Sequence, residues 1–117
     1  MARRGIVDFY FGNRSEIGAC KVFADITWDE GVWEKNHPVK HVERHSPDGM
    51  QWGYGGSGPA DCALSILTHF TRHDSPQFKN QVELLYQRFK FEFIAPAGNS
   101  LHIDRDAIFE WITAHIK

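Results

Sequence analysis

The stretch from His45 to Leu67, HSPDGMQWGYGGSGPADCALSIL, limits this chain more than any other part of it. Ser46, Pro47, Asp48 and Gly49 make a turn, and Met50 to Tyr54 read as a short strand. Gly55, Gly56, Ser57 and Gly58 form a loop, and Pro59 opens a helix. Gly53, Gly55, Gly56 and Gly58 fall within six residues, an entropic cost that something local must require. A steric requirement is a strand turning straight into a helix, which predicts φ > 0 for at least one of Gly55, Gly56 and Gly58. A functional requirement is close approach of a ligand. With Gly58 as N-cap, the free N–H groups of Ala60, Asp61 and Cys62 face the loop and offer an anion site.

Other features oppose the functional reading. Asp61 falls in the first helical turn, where its carboxylate satisfies the dipole and repels a phosphate. Gly53, Gly55 and Gly58 fit G-x-G-x-x-G, but no βαβ pattern precedes them, and the Gly-Lys-Ser/Thr ending of a P-loop is missing. Ser57 is not a nucleophile elbow, because Pro59 stands where the second glycine is needed.

The run WGYGGSGPADCALSIL, with HSPDG before it and LYQRFKFEFIA after it, resembles a family of uncharacterised small proteins from bacteria, phages and plasmids that share a WGYGGSGPA-x-LAL-type motif. Cys62 replaces an aliphatic residue of that motif, and Met50-Gln51 replaces an aromatic-acid pair. The resemblance implies membership of a domain of unknown function and carries no activity with it.

Alternation predicts a strand over Gly5 to Gly12, with Val7, Phe9 and Phe11 on one face and Ile6, Asp8 and Tyr10 on the other. Gly12-Asn13-Arg14-Ser15 is a turn. A second strand runs from about Ala19 to Trp28, with Val22, Ala24, Ile26 and Trp28 sharing a face. Asp29 to Arg44 is broken by Gly31 and Pro38, and Val39 to Val42 could be a short strand leading into the SPDG turn. A helix follows from Pro59 to about Arg72, apolar at Ala63, Leu64, Leu67 and Phe70, and widened by Cys62 and Ile66. Asp74-Ser75-Pro76 stops it. A second amphipathic helix covers Pro76 to about Phe91 through Phe78, Val82, Leu85 and Phe89, with Lys79, Arg88 and Lys90 as a solvated face. Leu101 to Ile103 is extended, and Asp104 caps a last helix with Ile108, Trp111, Ile112 and Ile116 inward. Strands mostly first and helices after predict α+β: one domain over residues 1–117, a small antiparallel sheet of three to five strands packed against three helices.

At 117 residues, with 42% hydrophobic and 14% aromatic side chains, a real core is available. A formal charge of −2 gives no global field for nucleic acid, so bulk nucleic-acid binding is not expected. Met1 to Arg4 is too short a basic end for targeting, and no apolar run predicts a membrane span. Cys20 and Cys62 read as buried, reduced thiols of a cytoplasmic protein.

The histidines invite a metal reading. His37, His41 and His45 recur every four residues, but Pro38 forbids one helix through all of them, and an extended segment would spread the rings apart. His69 and His73 are four apart on the first helix; with no third ligand in sight they read as a surface pair. No catalytic residues, metal or cofactor are therefore assigned. The expected function is a small non-catalytic accessory protein of a phage or mobile element. It sequesters a phosphorylated small molecule such as a signalling nucleotide, through Trp52, Tyr54, Gly55, Gly56, Ser57, Gly58 and Ala60, and so counters host defence. Two alternatives stand beside it. One is a protein inhibitor or adaptor acting on a host protein through Trp28, Trp33 and Tyr54; the other is a hydrolase of the same ligand. A free sheet edge and many aromatics predict a homodimer.

Overall fold

The computed structural model describes residues 3–13 and 20–116. It is an α+β fold: β1 (Gly5–Asn13), β2 (Lys21–Trp28), β3 (Trp33–Pro38), α1 (Ser57–His73), α2 (Val82–Phe89), β4 (Leu101–Asp104) and α3 (Arg105–His115). The four strands form one antiparallel sheet in the order β3-β2-β1-β4. The expected basic end at Met1 and Ala2, the turn at Arg14-Ser15 and the strand start at Ala19 lie outside the described residues.

Strand alternation is broken twice, and both breaks matter for the site. In β1, Val7 pairs with Ile26 and Phe9 with Asp25, so Asp8 is an extra residue. Such a bulge shifts the side-chain phase by one residue. Val7 and Tyr10 therefore share the buried face, and Phe9 and Phe11 turn to the other, which corrects the simple alternation. In β3, Glu34 pairs with Ile26 and His37 with Ala24, so Lys35 and Asn36 together face Asp25. Asn36 takes up the excess in left-handed backbone, at φ 59°, a conformation asparagine tolerates better than most residues. Its N–H donates to Asp25 Oδ1 at 3.2 Å.

The glycine-rich stretch departs from expectation. Met50 makes only an isolated bridge to Cys20, and neither Val39 to Val42 nor Met50 to Tyr54 is a strand. Gly53 explains the second failure: it sits at φ 92° with its N–H donating to the Ile94 carbonyl, which bends the chain away from any ladder. Gly55, Gly56 and Gly58, by contrast, all avoid positive φ. The SPDG turn is present, with Gly49 at φ 115°.

The core joins the inner face of the sheet to α1, α2 and α3. Trp52 lies in it, 1% exposed, its Nε1–H donating to the Asn99 carbonyl at 3.4 Å and its ring against Gly12, where an added Cβ would come within 2.4 Å. The expected second helix is built in pieces: a 3-10 turn over Pro76–Gln81, α2, a π-helical turn over Lys90–Ile94 and a 3-10 turn over Ala95–Ala97. Phe78, Val82, Leu85 and Phe89 face inward as their spacing predicts. Lys90 is buried rather than solvated, its Nζ 4.1 Å from the centre of the Phe91 ring. In α3, Ile108 and Ile112 are buried, but Ile116 lies past the helix end and is exposed. The side chain of Asp74, at the end of α1, is fully buried. It accepts the Val7 N–H at 2.9 Å and two Arg105 N–H groups at 3.0 Å, tying α1 to the β1 bulge and to α3.

Candidate functional site

The site grows from one row of paired residues across the sheet. Tyr10 of β1 pairs with Ala24 of β2, and Ala24 pairs with His37 of β3. The small Ala24 side chain between two rings leaves a hollow on the inner face, and α1 places His69 over it. Tyr10 Oη lies 2.8 Å from His69 Nδ1, and His37 Nδ1 lies 3.0 Å from His69 Nε2. One helical turn on, His73 shares the face of His69, and its Nδ1–H donates to the Arg3 carbonyl at 2.7 Å. The edges of Trp28 and of the three imidazoles pack together, with Trp28 5.3 Å from His37 and 5.4 Å from His73 between ring centres.

This arrangement depends on the β3 bulge. Without it, Glu34 and His37, three positions apart, would point to opposite faces. With it, both turn to the helix side: Glu34 accepts the Trp28 Nε1–H at 2.9 Å, and His37 reaches His69.

The electrostatics favour the neutral form of His69 and His37. Burial, followed by the charges of His73, His37 and Arg72, pushes His69 down to about 3. His37 is lowered as well, by burial first, with Glu34 opposing. Burial, with the charge of Asp74 second, raises the Tyr10 phenol well above its ordinary value, so it stays protonated.

The rings form one wall of an open cleft of about 650 Å³ between α1 and the chain leaving β3. Lys40, His41, Thr68 and Arg72 also line it. Its other wall is held by Asp61, which corrects the placement of that residue in the first helical turn. Gly56, not Gly58, is the N-cap, so Asp61 lies deeper in α1, fully buried and turned toward residues 41–46. The Ala60 N–H is likewise not free, since it donates to the Gly56 carbonyl at 3.1 Å.

Of the residues proposed from sequence, Trp52 is core and presents no ring face to a ligand. Tyr54 is exposed and lies over Gly56, with its hydroxyl bonded to Gln51. Gly55, Gly56, Ser57, Gly58 and Ala60 stay together at the start of α1; along the helix, at 1.5 Å per residue, Ala60 is about 14 Å from His69 and Ser57 about 24 Å from His73. His69 and His73 are not a surface pair: His69 is buried and His37 is the third ring beside them. His37, His41 and His45 have three different partners, His69, Asp61 and Tyr86. Among the proposed contact aromatics, Trp28 is buried, while Trp33 and Tyr54 are exposed. Cys62 is buried and free; Cys20 is free but only half-buried.

The chain belongs to a family of unknown function, DUF6166, whose sequence model matches residues 10–114. No curated protein and no solved structure matches it. Among the described residues, no helix is long and apolar enough to cross a membrane.

Proposed function

We propose that this member of the DUF6166 family binds and sequesters a small phosphorylated molecule in the cleft beside α1. The observation that supports this reading is the lining: Lys40 and Arg72 with the hydroxyl-bearing Ser65 and Thr68, against a single carboxylate, Glu43, among the described residues. Such a wall favours an anion through charge and supplies donors for its oxygens. A volume of about 650 Å³ suits a ligand of nucleotide size. The reading keeps the ligand class expected from sequence and moves the site from the glycine loop to the far end of the same helix. The motif resemblance to phage and plasmid proteins supports a cytoplasmic setting in which removal of a signalling nucleotide counters host defence.

Thermal melting against inorganic phosphate and a panel of nucleotides tests it. A ligand at 100 times its dissociation constant adds about 2.7 kcal/mol. Arg72→Gln should lose that stabilisation and Ser57→Ala should keep it; the reverse would return the site to the glycine loop. Product in the same samples would make the protein a hydrolase.

A second reading has its own observation. Val32 and Trp33 are exposed by 51% and 56% where β3 forms an edge of the sheet. Two exposed apolar side chains at the start of this edge, before the Asn36 bulge and Pro38, suit contact with another protein, as an inhibitor or adaptor would use. Absence of any nucleotide shift would favour it.

A further inference from the structure

The geometry points to a transition-metal site in the cleft, where His37, His69 and His73 hold one divalent ion of the zinc class and leave a coordination position open. The site does not depend on what else the cleft binds.

One ring nitrogen from each of these histidines lies within 4.8 Å of the other two. The closest pair, His37 Nδ1 and His69 Nε2, is 3.0 Å apart. Zinc–nitrogen bonds of about 2.0–2.1 Å in a tetrahedron put ligand nitrogens roughly 3.3 Å apart. The first pair must spread by a few tenths of an ångström and tilt off its shared hydrogen-bond line, and the His73 nitrogen, within 4.8 Å of both, must close by up to about 1.5 Å.

The outer contacts suit ligation. A metal-bound histidine normally donates its other N–H to a carbonyl or a similar acceptor, which fixes the tautomer and aims the lone pair. His73 does this through Nδ1 to the Arg3 carbonyl, leaving Nε2 for the ion. His69 has Tyr10 Oη at 2.8 Å from Nδ1, leaving Nε2. In that tautomer the His37–His69 bond is carried by the His37 Nδ1 hydrogen. When the ion takes Nδ1, that ring holds its hydrogen at Nε2 instead, so the exchange of the hydrogen bond for a metal bond needs no net proton loss from His37.

The scaffold is also suitable. His69 and His73 are fixed four residues apart on α1, and His37 is aimed by the Asn36 bulge. Three imidazoles with a position open to a cleft are the arrangement of reactive rather than structural zinc. Imidazole ligands favour zinc, cobalt, nickel or copper over magnesium or calcium.

The test uses the full chain stripped with a chelator, in phosphate-free buffer, titrated with Zn²⁺ by calorimetry and with Co²⁺ by visible absorption. One ion per chain is expected, with tetrahedral cobalt bands, no thiolate charge-transfer band and no response to Mg²⁺. His37→Ala and His73→Ala, both at part-exposed positions, should each weaken Zn²⁺ binding by more than the roughly 10–100-fold typical of losing an outer-shell partner. Tyr10→Phe should fall within that range, and His102→Ala should bind as the parent does. Circular dichroism checks that each variant is folded, and the conclusion does not need His69→Ala, whose buried position could cost the fold. Absence of saturable binding, a thiolate band, or parental affinity in folded His37→Ala and His73→Ala would overturn the assignment. Arg72→Gln separates the two sites: it should lose phosphate binding and retain the ion.

Discussion

The carboxylate of Asp61 accepts the His41 Nε2–H at 2.8 Å from inside α1, where the Asp61 side chain is fully buried. The same two oxygens accept the backbone N–H groups of His45 at 2.9 Å, Ser46 at 3.0 Å and Arg44 at 3.2 Å. An irregular segment without a ladder of its own is thus wrapped around one carboxylate, and that segment is a wall of the cleft.

Acid should therefore loosen this wall first. Burial alone would raise the Asp61 carboxyl, but the bonds from His41, His45, Ser46 and Arg44 outweigh it and hold it below its ordinary value. A carboxyl with a depressed folded pKa contributes stability that is present above the unfolded value of about 3.9 and is lost as pH falls through the folded value. Asp61→Asn should cost about 3 kcal/mol at pH 7 by leaving buried donors unmatched. Denaturant midpoints from pH 7 to 3 check this: the gap between parent and variant should narrow below about pH 4. A gap that stayed constant would deny the carboxylate its role.

Much of the frame was legible in the sequence, because period-2 and period-3.6 patterns report burial directly. Phe78, Val82, Leu85 and Phe89 are core, Asp104 stands at the N-cap of α3 although its carboxylate bonds His102 rather than the helix, and strands mostly precede helices as expected. The cleft was not legible. His37 reaches His69 only because Asn36 adopts a left-handed conformation opposite Asp25, and no periodicity announces a bulge of this kind. The pair His69 and His73 was visible at helical spacing, whereas the third ring comes from a segment that Gly31 and Pro38 made hard to read. Asp61 was misplaced because the helix begins at Ser57, before the proline that marks its expected start.

The bulge gives a direct test at Asn36. Left-handed backbone costs a residue with a Cβ roughly 1–2 kcal/mol, less for asparagine and nothing for glycine. Asn36→Gly should stay within about 0.5 kcal/mol of the parent, Asn36→Ala should lose about 1 kcal/mol, and Asn36→Val should lose more. Equal denaturation midpoints for Gly and Ala would show that this backbone carries no such cost.

The two thiols should differ in reactivity. Burial, with the neighbouring Cys20 second, pushes the Cys62 thiol far above its ordinary range, so it holds its proton near neutral pH. The thiolate is the reactive form. A thiol reagent should therefore modify the half-buried Cys20 alone in the native protein and reach Cys62 only with denaturant. Rapid double labelling under native conditions would contradict the burial of Cys62.

The exposed edge of β3 bears on assembly. Pairing of two β3 strands would cover Val32 and Trp33 and complete the backbone bonds of both edges. Light scattering should then return about twice the chain mass of 13.5 kDa. Trp33→Lys should return a single-chain mass without loss of fold. A parent protein of one-chain mass would end the dimer reading and leave the edge to a different partner.

The glycine loop separates packing from binding through Gly58 and its neighbour Ser57. A Cβ at Gly58 would come within 2.9 Å of Gln51 Cβ, and the Gly58 carbonyl accepts the Gln51 N–H at 3.2 Å, so the position is tight on both counts. Gly58→Ala should cost about 1–3 kcal/mol, the range for forcing an extra carbon into packed surroundings. At Gly55 the nearest atom to an added Cβ is Phe91 Cε1 at 3.4 Å, an ordinary contact, so Gly55→Ala should be nearly neutral. Ser57 lies past the N-cap Gly56 and is exposed, which leaves its hydroxyl without a structural task at the cap. Ser57→Ala should therefore change stability by no more than a few tenths of a kcal/mol. If the cleft is the binding site, Ser57→Ala also leaves phosphate affinity unchanged, because the hydroxyl lies at the opposite end of α1 from Arg72. A loss of about 1 kcal/mol in affinity at unchanged melting temperature is what a direct ligand contact at Ser57 would produce. Measuring both quantities on this one variant decides between the two ends of the helix.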